Sequence, residues 1–127
     1  MALKWTIDPE DQMMIMLAEG EVTRPEVNAM LDAMQAGEAL AYRKMFDATK
    51  ADTKMTADDL IALGVRLRAI HAQGNMGPLA LVIPLGKEEL IARVLGILAV
   101  PNRPMRLFAD SHKARKWIKK QLAGSSD

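Results

Sequence analysis

The chain of 127 residues contains no cysteine, only two histidines and only five aromatic residues. The absence of cysteine excludes disulfide bonds, thiolate metal sites and cysteine nucleophiles, and it suits a reducing compartment. No uninterrupted apolar run approaches the roughly 20 residues of a transmembrane helix. The acidic, proline-containing start, MALKWTIDPEDQ, does not resemble a signal peptide. We therefore predict a cytoplasmic protein without a transmembrane segment.

Composition and length are those of an ordinary globular domain. Half of the residues are hydrophobic, 26% are charged, and the net charge is +1. Such a chain is long enough to bury a single core without a second domain. We predict one domain over residues 1–127, with a frayed tail at residues 123–127.

Charge is distributed unevenly along the chain. Residues 1–60 carry 12 acidic and 6 basic residues, whereas residues 61–127 carry 4 acidic and 11 basic residues. Five basic residues fall in the last predicted helix: Lys113, Arg115, Lys116, Lys119 and Lys120. They form either a solvated helix face, which we favour because lysines suit the C-terminal end of a helix dipole, or a patch for anionic lipid or an acidic partner. We predict no nucleic-acid partner.

Strand and helix patterns alternate along the chain. Strands are predicted at residues 4–7, 13–22, 42–47, 79–84 and 105–108. Four helices are predicted: one capped by Thr23 and ended by Gly37, one capped by Thr56 and running to Gln73, one over residues 88–100, and one capped by Ser111. The order predicts an α/β fold with a mixed, mostly parallel sheet of about five strands and four helices.

Three segments bear polar landmarks: MFDAT with a strand-end aspartate, TADDL at a helix start, and RLFADSHKARKWI at the last strand and helix. With the order of elements, they resemble the SpoIIAA-like branch of the STAS superfamily, whose last helix has an alanine and a tryptophan placed like Ala114 and Trp117. The resemblance covers nearly the whole chain. It implies an αβ sandwich without catalytic activity or cofactor. It also implies that the chain binds a regulatory protein or, by fold kinship with CRAL-TRIO lipid-transfer domains, a hydrophobic ligand.

The resemblance singles out the loop that begins at Asp47. In anti-sigma-factor antagonists of the superfamily, a kinase phosphorylates a serine at the matching place, where this chain has Thr56. The carboxylates of Asp58 and Asp59 would repel a phosphate there, whereas an unmodified threonine caps the helix. We favour the cap, and Thr49 and Thr53 are further candidate phosphorylation sites.

Asp47 itself has two interpretations. At the end of a strand its carboxylate can accept backbone N–H groups and so hold the loop. It can also be a functional group at the sheet edge where ligands of α/β proteins bind. We favour the structural role, because no second titratable residue lies at an informative spacing.

Two apolar features suggest binding. The chain has ten methionines, which predict either core packing, which we favour, or the lining of an adaptable pocket.

The predicted helix over residues 88–100 has a wider apolar stripe than packing on a sheet requires. A second subunit, a lipid surface or a ligand could cover it, and a homodimer is the commonest arrangement. The candidate surface comprises Leu90, Ile91, Val94, Ile97 and Leu98.

Catalytic patterns are lacking. Neither His71 nor His112 has a histidine partner at metal-site spacing, and no serine lies in a G-x-S-x-G turn. We therefore predict a noncatalytic module that binds a protein partner or a second copy of itself. The alternative is a carrier or sensor of a hydrophobic ligand or a membrane-surface lipid.

Overall fold

The computed structural model describes residues 2–74, 76–83, 86 and 104–122. The predicted helix over residues 88–100, its candidate surface and the predicted tail lie outside these residues. The described strands are β1 (Leu3–Asp8), β2 (Met13–Glu21), β3 (Arg43–Asp52), β4 (Leu79–Val82) and β5 (Met105–Phe108). The described helices are α1 (Arg24–Ala36), α2 (Ala57–Gln73) and α3 (Ser111–Lys120).

The five strands form one sheet in the order β1-β2-β3-β4-β5. The β1–β2 pair is an antiparallel hairpin, and every other neighbouring pair is parallel. Helix α1 provides the crossover between β2 and β3, and α2 provides the crossover between β3 and β4. The predicted mixed, mostly parallel five-stranded sheet is therefore confirmed.

The helices cover both faces of this sheet. Leu31 of α1 and Ile70 of α2 pack with Met14 in one buried cluster. Ala114 and Ile118 of α3 join a second cluster with strand residues that include Met45. Helices α1 and α2 therefore lie on one face, here called the cavity face, and α3 lies on the other, here called the packed face.

Two capping boxes begin the helices of the cavity face. The Thr23 side chain accepts a hydrogen bond from the Glu26 backbone N–H, and the Glu26 side chain accepts one from the Thr23 backbone N–H. Thr56 and Asp59 form the same reciprocal pair at α2. Each box satisfies two backbone N–H groups that a helix start leaves unpaired. The predicted caps at Thr23 and Thr56 are confirmed.

The predicted cap of the last helix was wrong by one residue. Asp110 is the N-cap of α3, and its side chain accepts a hydrogen bond of 2.7 Å from the His112 backbone N–H. Ser111 is the first helical residue. An aspartate and a serine are equally good caps, so composition alone does not choose between adjacent candidates.

The predicted end of the third strand was also wrong. β3 continues five residues beyond Asp47, to Asp52, and pairs there with the end of β2. The register shifts between Leu17 and Glu19, because β3 has one more residue than β2 in this interval. This is a β-bulge, which inserts a residue without ending the strand.

Candidate ligand-binding cavity

An apolar cavity of about 210 Å³ lies between the sheet and the helices of the cavity face. The strands contribute residues such as Phe46 and Leu81, α1 contributes Val27, and α2 contributes Leu63. Five methionines also line it: Met16, Met30, Met34, Met55 and Met76. Among the described residues, seven methionines are buried, so they fill the core as predicted, and several of them line the cavity as well.

Two charged residues also line this cavity, the exposed Asp52 and the buried Lys44. Lys44 of β3 is 1% exposed. Its Nζ donates to the backbone oxygen of Tyr42 at 2.8 Å and to the backbone oxygens of Leu40 and Met76. An ammonium group has three N–H donors, so these three carbonyls account for all of them. Lys44 therefore binds two loops together and has no donor left for a ligand carboxylate.

The same two loops meet at Gly77, beside the lysine. Gly77 has a φ of 75°. A Cβ atom there would overlap the carbonyl oxygen of Tyr42 and lie 2.6 Å from that of Ala41. Only glycine fits such a close backbone approach at positive φ. Gly77 and Lys44 together fix the loop that precedes β4 against the loop that precedes β3.

Beside the cavity, the ends of β2 and β3 are joined by hydrogen bonds. The Val22 backbone N–H donates to the Asp52 oxygen at 2.8 Å, and the Thr53 hydroxyl donates to the Val22 oxygen at 2.8 Å. Val22 and Met55 line the cavity on one side and a more open polar cleft on the other. The charged residues of this cleft are Glu21, Arg24, Lys54 and Asp59.

The structure shows what the predicted regulatory loop does. Asp47 Oδ1 accepts hydrogen bonds from the Thr49 backbone N–H at 3.0 Å and from the Thr49 hydroxyl at 2.7 Å. These bonds lie at the bulge in β3, which matches the favoured structural role of Asp47. The hydroxyls of Thr49, Thr53 and Thr56 all make intramolecular hydrogen bonds. Phosphorylation of any of them would disrupt its contact, and such modification stays a prediction.

The predicted basic patch lies away from the cavity. All five of its residues are exposed on α3: Lys113, Arg115, Lys116, Lys119 and Lys120. Because α3 covers the packed face, the patch is separated from the cavity by the sheet. The inward residues of α3 include Ala114 and Ile118, while Leu122 is 87% exposed.

Two carboxylates of the cavity face have lowered pKa values. Partial desolvation acts to raise the pKa of Glu26, but backbone hydrogen bonds from Thr23 and Ala2 outweigh it and lower the pKa. The backbone hydrogen bond from Thr56, followed by the Thr56 side chain and Arg24, lowers the pKa of Asp59. Both groups are ionised in the folded protein at neutral pH, and both stabilise helix starts.

We searched the described residues for metal sites, unpaired buried polar atoms and membrane-spanning helices. No group of three potential metal ligands occurs among the described residues. The buried Nδ1 of His71 has no hydrogen-bond partner in the part of the chain that the structure describes. Within residues 2–74, 76–83 and 104–122, no helix is long and apolar enough to cross a membrane.

Comparison with known proteins bears on the fold. No protein-family model matches the sequence, and no curated protein matches it. The structure is similar to the crystal structure of an uncharacterised DUF3478-family protein from Shewanella loihica PV-4, which has a SpoIIAA-like fold. The two chains are 18% identical, the match covers 92% of this chain and 93% of the other, and the TM-score is 0.61. The protein therefore has the SpoIIAA-like fold that the sequence resemblance implied.

Proposed function

We propose that this protein is a noncatalytic module that binds a hydrophobic ligand in the methionine-lined cavity. The cavity itself is the supporting observation. Its volume of about 210 Å³ exceeds the roughly 150 Å³ of an engineered apolar cavity that stays dry and binds benzene. A ligand of about the size of benzene can therefore enter without displacing core residues.

The apolar character of the lining supports a ligand. Removing apolar surface from water is favourable by roughly 25 cal/mol per Å². An apolar guest in this space would cover the side chains that line it, so contacts with the guest would replace their contacts with water.

The lining also determines what kind of guest is accepted. Methionine side chains are unbranched and polarizable, so they adapt to guests of different shape. Lys44 donates all of its N–H groups to backbone carbonyls and cannot anchor an acid inside the cavity. The buried part of the ligand is therefore an uncharged alkyl or ring group.

The test is a fluorescence titration with the uncharged probe N-phenyl-1-naphthylamine. Ala51 lines the cavity and is half-buried, whereas Ala36 is exposed at the end of α1. We expect saturable binding by the wild type, loss of binding in Ala51→Phe, and unchanged binding in Ala36→Phe. Val27→Phe fills the same space from α1 and serves if Ala51→Phe does not fold. Equal binding by the filled and control variants would contradict the proposal.

Native mass spectrometry of the purified protein provides an independent check. We expect an adduct of constant mass that is lost when the complex is unfolded. The same preparation of Ala51→Phe should lack the adduct. A bare apo mass from every expression host would count against a stably bound natural ligand.

A second candidate function is binding of a protein partner, specifically a second copy of this chain. Ile61 and Val65 lie one turn apart on α2 and are 60% and 57% exposed. Paired apolar side chains in solvent favour a contact surface. We expect sedimentation equilibrium to show a dimer that Ile61→Lys weakens, while Thr6→Lys, at an exposed position of β1, does not. A monomer at all concentrations would contradict this assignment.

A further inference from the structure

The polar cleft beside the cavity suggests what the remainder of the ligand looks like. Val22 and Met55 line both spaces, so the apolar cavity and the cleft adjoin across these two side chains. A chain that lies in the cavity and passes between them would place its end in the cleft. This inference rests on the proposed function.

The charges of the cleft are balanced. Arg24 and Asp59 face each other at 3.5 Å. Glu21 and Lys54 form no side-chain hydrogen bond or ion pair within the described part of the chain. The cleft thus offers one carboxylate and one ammonium group that are available to a ligand.

An opposite pair of charges on the ligand fits this arrangement best. A purely anionic head would meet the carboxylate of Glu21, and a purely cationic head would meet the ammonium group of Lys54. A head with both charges can satisfy both residues at once. The basic residues of α3 take no part, because the sheet separates them from the cleft.

We propose that the ligand is a single-chain amphiphile with a zwitterionic head, whose chain lies in the methionine-lined cavity and whose head lies between Glu21 and Lys54. The anionic group of the head contacts Lys54, and its cationic group contacts Glu21. Arg24 and Asp59 flank the head and hold the ends of α1 and α2 in place.

Displacement of N-phenyl-1-naphthylamine by octyl amphiphiles at concentrations below micelle formation tests the head specificity. Four probes share the chain and differ in the head: octylphosphocholine, octanoate, octyltrimethylammonium and octyl glucoside. We expect octylphosphocholine to displace the uncharged probe at the lowest concentration. Glu21→Gln and Lys54→Gln should each weaken the affinity for octylphosphocholine by about threefold to fivefold, the range expected for loss of an exposed ion pair.

Glu19 and Lys50 provide matched controls, since they are exposed, pair with each other on β2 and β3, and lie outside the cleft. Glu19→Gln and Lys50→Gln should change neither the affinity for octylphosphocholine nor the affinity for the uncharged probe. Glu21→Gln and Lys54→Gln should also leave the affinity for the uncharged probe unchanged. If the uncharged probe binds but the four heads are equivalent, or Glu21→Gln and Lys54→Gln have no effect, the head inference is wrong and the cavity proposal stands. If the uncharged probe does not bind the wild type, both are wrong.

Discussion

The two faces of the sheet differ in how completely they are filled. On the packed face, α3 lies against β3 and β4 through small and branched residues, among them Ala80, Val82, Ala114 and Ile118. On the cavity face, two helices and long methionine side chains leave about 210 Å³ open. Short side chains let a helix approach the sheet closely, whereas long flexible ones hold it away without filling the space between. The sheet therefore has one closely packed face and one face with an open apolar cavity.

Truncation of one buried side chain on each face should expose this difference with the largest effect. Ile118 is 1% exposed and packed on all sides, so Ile118→Ala should lower the free energy of unfolding by about 3–4 kcal/mol. Leu63 lines the cavity and has fewer contacts to lose, so Leu63→Ala should cost about 2 kcal/mol. Urea denaturation measures both values. Equal losses would mean that the cavity face is packed as well as the other.

Removal of the buried lysine should have the next largest effect. Lys44→Met keeps most of the apolar stem but leaves the oxygens of Leu40, Tyr42 and Met76 without their donor. We expect a loss of about 3 kcal/mol in the free energy of unfolding. Lys50→Met on the exposed side of the same strand is the control and should change stability little. A neutral result for Lys44→Met would show that these carbonyls find other partners.

The helix caps allow a smaller, paired test of the two faces. Thr56→Ala on the cavity face and Asp110→Ala on the packed face should each cost about 1 kcal/mol, because each removes one cap. Only Thr56→Ala should also weaken binding of N-phenyl-1-naphthylamine, since α2 lines the cavity and α3 does not. If both variants weaken the probe equally, the faces are not independent.

Acidification should act on the cavity face with the smallest effect. The folded-state pKa values of Glu26 and Asp59 are lowered, so their contribution is present at neutral pH and is lost as the pH falls through those values. We expect the melting temperature to fall between pH 5 and pH 3, and Glu26→Gln with Asp59→Asn to reduce that fall. Glu10→Gln, in the exposed turn between β1 and β2, is the control, because Glu10 makes no side-chain hydrogen bond or ion pair within the described part of the chain. A pH profile unchanged by the double variant would contradict this account.

The elements that the sequence predicted correctly are those with local signals. Thr23 and Thr56 each precede an acidic residue by three positions, and this spacing specifies a helix start without any tertiary contact. The strand over residues 105–108 was likewise readable from its pattern, and the apolar strand predicted over residues 79–84 is observed over residues 79–82. The family resemblance supplied the fold, which the structural comparison confirms.

The features that the sequence did not predict depend on partners distant along the chain. The extension of β3 beyond Asp47 relies on pairing with β2, and its polar residues Lys50 and Asp52, which are uncommon in strands, favoured the prediction of a loop. Lys44 and Phe46 are two residues apart on β3, so their side chains lie on the same face of the sheet, and this periodicity could have placed Lys44 inward. Its carbonyl partners, however, come from two separate loops and could not be predicted. The cavity arises from the spacing of helices and sheet, and no single residue encodes it.

The most direct test of the cavity is methyl NMR of the methionines during titration with octanol. The chain places methionines on both faces, so it contains its own control. We expect the methyl signals of Met16, Met30, Met34, Met55 and Met76, which line the cavity, to shift on binding. The signals of Met13 and Met45, which pack on the other face, should stay in place. Equal shifts at both sets, or no shift at either, would contradict a ligand-binding cavity on one face of the sheet.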